Sequence, residues 1–269
     1  MKIKAYQICY SAETLACVPE GFHALDYTDN SRPDWREFWP IRQFLLNNYL
    51  SDDVLYGFFS PKFHLKTNLS HNNLVEFIKN HYQGEDLVNF SPFWDLSSIF
   101  QNVFEQGSFF HPGLSEVCQQ FSNSYLCKFE LSNSINCSRD SIFCNYFLAK
   151  SSFWKEWINI ADMLFIAAED SSSLLSSNLN ALTPYGHQSL PMKIFVQERL
   201  PTICLLLNKF KTLSYNTYLL PSSTTPFNTF FAQAIQSDAL KMAFLDSNKQ
   251  VYLNQFSTIR NEIIASFRN

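Results

Sequence analysis

The sequence predicts an α/β domain with a mainly parallel sheet flanked by helices, and three observations carry that prediction. Short β-prone runs alternate with amphipathic helical stretches in the first half of the chain, the pattern of strand-helix-strand units. The 269 residues are 46% hydrophobic and 16% aromatic, with 27 Phe, which is ample for one large core. Charged residues make up only 16%, too few for a disordered chain, and no linker-like stretch divides the sequence. A single domain over 1–269 follows, with the sheet in 1–150 and a mainly helical part in 151–269.

Ile3, Ala5, Gln7, Ile8 and Tyr10 form a first strand, and Phe22 to Leu25 a second apolar step after the loop Val18-Pro19-Glu20-Gly21. Asp29, Asn30, Ser31 and Arg32 lead to Pro33, pre-set for the first position of a helix, with Asp34 adding a carboxylate where the helix dipole favours one. Trp35, Phe38, Trp39, Arg42, Leu45 and Leu46 recur at helical spacing, so one face is apolar. Pro40 lacks the N–H needed in mid-helix and should bend or divide this helix. Val54 to Phe59 reads as a buried strand closed by Ser60-Pro61-Lys62. Ser70 caps a helix through Asn80, whose apolar side is Leu74, Val75, Phe77 and Ile78. Gly84-Glu85-Asp86 then leads into a strand over Leu87 to Phe90.

Asp95 to Gln106 is helical and Gly107 stops it, while Pro112 opens a helix carrying Leu114, Val117, Cys118 and Phe121. An irregular connection over 122–140 precedes an apolar strand from Ile142 to Ala149, interrupted by Asn145. Ser151 or Ser152 caps a helix whose stripe of Trp154, Trp157, Ile158, Ala161, Leu164, Phe165 and Ala168 is core. A Ser- and Asn-rich segment from Asp170 to Tyr185 separates it from one helix over Met192 to Leu207. That helix is apolar nearly all round apart from Lys193, Gln197, Glu198 and Arg199. From Gln250 onward Leu253, Phe256, Ile259, Ile263 and Phe267 share a face, the mark of a docking helix.

Several classes are excluded. Net charge is −4 with a pI near 5.9, so bulk electrostatics do not favour nucleic acid as a partner. Cys9, Cys17, Cys118, Cys127, Cys137, Cys144 and Cys204 are odd in number and include no CxxC pair, which reads as reduced thiols in a cytosolic protein without a zinc site. The N-terminal apolar run is too short and polar for a signal peptide, and no stretch approaches the roughly 18 apolar residues of a membrane span. There is no GxGxxG, P-loop, GxSxG, HExxH or kinase signature, and only 6 glycines in all.

The stretch from Leu25 to Lys66 gathers cations and carboxylates at the ends of buried elements, and the site is expected there. Arg32, Arg36, Arg42, Lys62 and Lys66 can offset a diphosphate by charge-assisted hydrogen bonds, although for Arg42, on an apolar face, an internal salt bridge competes. Asn145 either satisfies nearby backbone or faces a ligand. Glu198 and Arg199 form an internal ion pair or serve a site. His64, His71 and His81 are too irregularly spaced for a metal triad, and Asp52-Asp53 point to opposite faces if extended. His111, beside Pro112, makes a helix-cap contact or meets an anion.

The order of the segments KIKAYQICY, VPEGFHALDYTDN, the helix with Arg36-Glu37-Phe38-Trp39, YGFFSPKF, FCNYFLAKSSFWKEW and MKIFVQERL resembles the small bacterial glycosyltransferase-like proteins of capsule and lipopolysaccharide gene clusters, over residues 2 to 207. The resemblance implies a Rossmann-like, GT-A-type domain in which 1–150 binds a nucleotide-sugar donor at the C-terminal edge of the sheet. The acceptor, a glycan or glycolipid, lies on the side of 151–269. It implies donor contacts from Tyr10, Asp29, Asn30, Arg32, Arg36, Glu37, Ser60 and Asn145. It makes Glu198 the base for the acceptor proton and gives Lys62, with Arg32 or Arg199, to the leaving nucleoside diphosphate. Where many GT-A enzymes carry a metal-binding DxD, and the capsular relatives HYRR, this chain has Ser60-Pro61-Lys62-Phe63. That puts a divalent metal in doubt and leaves Lys62 as a substitute cation. The implied location is cytoplasmic, with peripheral contact at the inner face of the membrane. The missing DxD keeps an alternative, a non-catalytic glycosyltransferase-like partner in polysaccharide assembly.

Overall fold

Side-chain alternation along Lys2–Cys9 (β1) sets the two faces of the molecule, because successive residues of a strand point to opposite sides. The computed structural model describes residues 1–126, 129–223 and 229–266, so Cys127 and Phe267 lie outside the described residues. The remaining strands are β2 (His23–Asp26), β3 (Val54–Phe59), β4 (Leu87–Asn89), β5 (Phe147–Ala149), β6 (Leu182–Tyr185), β7 (Gln188–Pro191) and β8 (Thr212–Ser214). The helices are α1 (Ala12–Ala16), α2 (Phe38–Asn47), α3 (Phe63–Thr67), α4 (His71–His81), α5 (Trp94–Ile99), α6 (Val103–Phe110), α7 (Leu114–Tyr125), α8 (Ser151–Glu169), α9 (Leu174–Asn180), α10 (Met192–Gln197), α11 (Leu200–Leu207), α12 (Phe231–Ser247) and α13 (Gln250–Ser266).

Six strands form one mixed sheet in the order β2-β1-β3-β5-β4-β8. β1 is parallel to β2 and β3, and β4 is parallel to β8, whereas β5 runs antiparallel to both of its neighbours. β6 and β7 make a separate antiparallel hairpin. The fold is therefore α/β, with a mostly parallel sheet between helices and a helical C-terminal region. Among the described residues no helix is long and apolar enough to cross a membrane.

The larger core lies on the face of Ile8, Tyr56, Phe58 and Phe147, where α2, α7, α8, α10 and α11 cover the sheet. Trp154 is buried there, and its Nε1–H donates to the Tyr56 carbonyl at 3.0 Å, which fastens α8 to the middle of the sheet. Burying a side chain of this size contributes about 2–3 kcal/mol. On the other face Ala5, Leu55, Phe59, Val88 and Leu148 meet α3 and α4 through Phe63, Leu74 and Ile78, with Leu220 in the same cluster. A third cluster joins α5 to α12 and α13 through Trp94, Ile99, Ala234 and Ile263, so the C-terminal helix docks as its apolar spacing predicts. The fully buried Lys241 is tolerated beneath it because Nζ donates to the carbonyls of Ser97 (2.6 Å) and Phe100 (2.7 Å).

Several expected boundaries shift for identifiable reasons. The helix expected from Pro33 is split before Pro40: Pro33–Trp35 is a single 3-10 turn, Arg36 has φ +50°, and α2 starts at Phe38. Pro40 then sits in the first turn, where its missing N–H costs nothing. Leu46, expected on the buried face, is 49% exposed, and Ile41 takes its place in the core. Gly107 does not stop a helix but lies within α6, because a Cβ there would come within 2.8 Å of Leu114 Cδ2 and 3.1 Å of Arg199 Nη2. The break falls earlier, at Asn102, whose side chain caps α6. The strand expected over Ile142 to Ala149 shrinks to Phe147–Ala149, and α8 begins without a serine cap. The single helix over Met192 to Leu207 is two, because Pro201 has no N–H to give the Gln197 carbonyl.

Candidate functional site

The chain leaves β1 first to one side, for β2, and then to the other, for β3. Ligands of open α/β sheets bind at such a switch point, outside the carboxyl ends of the strands. A cavity of about 500 Å³ opens there. Tyr10 follows β1, Tyr27 and Asn30 follow β2, Ser60 and Lys62 follow β3, and Asn145 and Tyr146 precede the antiparallel β5. The opposite wall comes from the second half of the chain, with Tyr185 and Gln188 from the β6–β7 hairpin and Gln197 and Glu198 from the end of α10.

The turn carrying Arg36 and Glu37 is held by an ion network behind it. Arg32 grips Asp34 through Nε (2.9 Å) and Nη2 (2.9 Å) and reaches Glu169 at 2.7 Å. The buried Lys193 bonds Asp34 at 2.8 Å with its Nζ 4.5 Å from the centre of the Trp35 ring, and Trp35 Nε1–H donates to Glu169 at 3.1 Å. The hydrogen bond from Arg32, aided by Lys193, holds the Asp34 carboxyl down at about 2. Trp35 and Phe38 stack at 4.5 Å in the core, so the chain has to reverse between them, and it does so at Arg36 with φ +50° and ψ −132°. A non-glycine residue in that region carries strain of about 1–3 kcal/mol, which persists where the surroundings over-determine it. Its consequence is that Arg36 and Glu37 both line the cavity.

Two carboxylates, Glu37 and Glu198, meet there, and Asp34 of the ion network lines the same cavity. Glu37 accepts from Asn145 Nδ2 at 3.3 Å, and Glu198, at the break between α10 and α11, is bound by Arg199 Nη1 at 2.7 Å. Burial, and then the charge of Glu198, push Glu37 up to about 7 against the opposing pull of Lys66. Burial also raises Glu198, opposed by Arg199 and Lys66. Around them Lys62, Lys66 and Arg36 supply positive charge. Ser60 Oγ shares a 2.7 Å hydrogen bond with the Tyr146 hydroxyl, and the Lys62 N–H donates to Ser60 Oγ at 3.3 Å, fixing the turn after β3.

Eight of the expected site residues line this one cavity: Tyr10, Asn30, Arg36, Glu37, Ser60, Lys62, Asn145 and Glu198. Three do not. Asp29 is an exposed turn residue, and Arg32 is engaged by Asp34 and Glu169. Arg199 is buried behind Glu198, held by the Phe195 carbonyl (3.1 Å) and Gln106 Oε1 (3.1 Å), and pairs with Glu198 at 2.7 Å. Arg42 makes its internal salt bridge, 2.7 Å to Asp162. The His111 ring does not cap a helix: it stacks on Phe195 at 3.5 Å and donates to the Pro184 carbonyl at 3.1 Å, and burial brings it down to about 4. The sequence reading missed Tyr27, Tyr146 and the whole β6–β7 hairpin. Tyr185-Gly186-His187-Gln188 is the signal that locates the hairpin, with Gly186 supplying φ +58° at its turn. The chain matches no family model, no curated protein and no solved structure.

Proposed function

We propose that the protein is a glycosyltransferase, moving a sugar from a nucleotide-sugar donor to a hydroxyl of a surface polysaccharide or glycolipid acceptor. The observation that carries the reading is the cavity at the switch point of the sheet, where Glu37 and Glu198 face Lys62, Lys66 and Arg36. Group transfer from a nucleoside diphosphate needs both parts. A carboxylate takes the acceptor proton while the acceptor oxygen bonds to the anomeric carbon, and the electron pair of the breaking bond leaves on the diphosphate, which cations stabilise. Glu37 suits the base role better than Glu198, because a base works best when it titrates near the operating pH, and Glu37 is held by one amide where Glu198 is held by a guanidinium. Arg199 and Glu198 become positioning residues. Lys62, Lys66 and Arg36 serve the diphosphate. Among the described residues no group of acidic, His and Cys side chains is arranged to hold a metal.

The test is thermal unfolding against UDP-, GDP-, dTDP- and CMP-sugars, with and without Mn²⁺ or Mg²⁺, followed by a transfer and hydrolysis assay. A donor at about a hundred times its dissociation constant stabilises the fold by roughly 2.7 kcal/mol, a rise of several degrees. Glu37→Gln is expected to keep that rise and lose turnover. No shift with any donor would overturn the enzymatic reading in favour of a non-catalytic partner in polysaccharide assembly.

A further inference from the structure

A second cavity, of about 350 Å³, opens at the same edge of the sheet but on its other face. Neighbouring strand residues divide the two: Ile8 lines the first, and Gln7 and Phe59 line the second. Ser60 touches both cavities, and beyond it Lys62 lines the first and Pro61 the second. The turn after β3 is thus a partition between two separate sites.

The chemistry on the two sides differs. Among the described residues no Lys or Arg lines the second cavity, and Glu20 is the one carboxylate there. Its aromatic wall is the half-buried Phe22, set against the core rings of Phe59 and Phe63, with the three rings 4.6 to 6.1 Å from one another. Gln7 is 4% exposed; its Nε2–H donates to the Thr14 carbonyl at 3.1 Å, while Oε1 has no hydrogen-bond partner among the described residues. The N–H groups of His71 and Asn72, in the first turn of the eleven-residue α4, have no acceptor within their helix. The wall is closely built: Gly21 (φ +86°) passes so near His71 that a Cβ there would collide with its ring.

We infer that this second cavity is a binding site for one neutral, hydroxyl-rich ring, a pyranose of a glycan, separate from the charged cavity on the opposite face. A pyranose presents apolar C–H groups to an aromatic ring and hydroxyls that both donate and accept, which matches the Phe22 wall with the free Gln7 acceptor, a carboxylate and free N–H donors. Among the described residues Glu20 and the lack of Lys or Arg in the lining set the cavity against an anion, in opposition to the pull of the α4 N-terminus. The assignment stands on the second cavity alone and does not require the chemistry proposed for the first.

Saturation-transfer NMR on the full chain, with the methyl glycosides of glucose, galactose, mannose and N-acetylglucosamine in turn, tests it. At least one glycoside is expected to receive saturation. Its affinity should fall at least fivefold in Glu20→Gln, an exposed position whose change leaves the core intact, and in Gln7→Leu, which removes the free acceptor, and stay within twofold in Lys62→Ala. Three results overturn the inference: no transfer to any glycoside, loss of binding in Lys62→Ala, or displacement of the glycoside by inorganic phosphate. Glycoside binding with no response to any nucleotide sugar would remove the proposed transferase activity and leave this site standing.

Discussion

Replacing Glu37 by Gln removes a titration while keeping the shape, since a carboxamide oxygen still accepts the hydrogen bond from Asn145. The carboxyl is raised from 4.5 to about 7. A shift of that size corresponds to roughly 3 kcal/mol, and partial solvent screening of the site brings the expected effect to about 2 kcal/mol. The sign follows from proton binding. Between the unfolded and folded values the native state holds the extra proton, so the stability from the protonated form is full below about 4.5 and lost as pH rises through about 7. Glu37→Gln is therefore expected to leave stability nearly unchanged at pH 4.5 and to raise it by about 2 kcal/mol at pH 8. Urea unfolding of both proteins at the two pH values gives the difference directly, with the slope against urea confirming that the unfolded states match. Equal effects at both pH values, or a loss at pH 8, would refute the description of Glu37 as a carboxylate charged at a desolvation cost beside Glu198.

Other perturbations probe the neighbouring features. Arg36→Gly relieves the strained backbone and should raise stability by about 1 kcal/mol after the greater freedom of the unfolded glycine is subtracted, whereas Arg36→Ala keeps the strain and shows no gain; thermal melting of both variants decides. Gly107→Ala should lose about 1–2 kcal/mol in spite of a better helix propensity, because the new methyl meets Leu114 and Arg199; a gain in urea midpoint would contradict the packing described. The depressed Asp34 carboxyl contributes stability that is complete above the unfolded value near 4 and lost as pH falls through about 2, so Asp34→Asn should flatten the acid limb of a pH-stability curve.

Much of the fold was legible because it is written in local pattern. β1, β3 and the helix capped by Ser70 follow from apolar alternation and a capping serine, and they lie where the sequence puts them. The features that escaped are those decided at a distance. The strained turn at Arg36 follows from Asp34 being held by Lys193 and Trp35 by Glu169, partners more than a hundred residues away. The same is true of Asn145, which lines the cavity with its amide on Glu37, a side chain from the first wall more than a hundred residues away. Gly107 misled because a glycine at a helix end and a glycine under a neighbouring arginine look alike in one dimension. Charged residues near element ends did point to the cavity, but they could not separate Lys62, which reaches it, from Arg32, which braces it from behind.

The position of β5 has a consequence for how the chain is assembled. This short strand lies between β3 and β4 and is paired with both, yet it is supplied almost a hundred residues after β3. Until it arrives, the β2-β1-β3 ribbon has one backbone edge uncovered, with Tyr56 to Phe59 all apolar except for Gly57. During synthesis at roughly 5–20 residues per second, that edge stays available to another chain for several seconds. Fragments that end before Phe147 should therefore self-associate through β3, and loop closure to β5, rather than formation of any helix, should limit the rate at which the full-length chain folds.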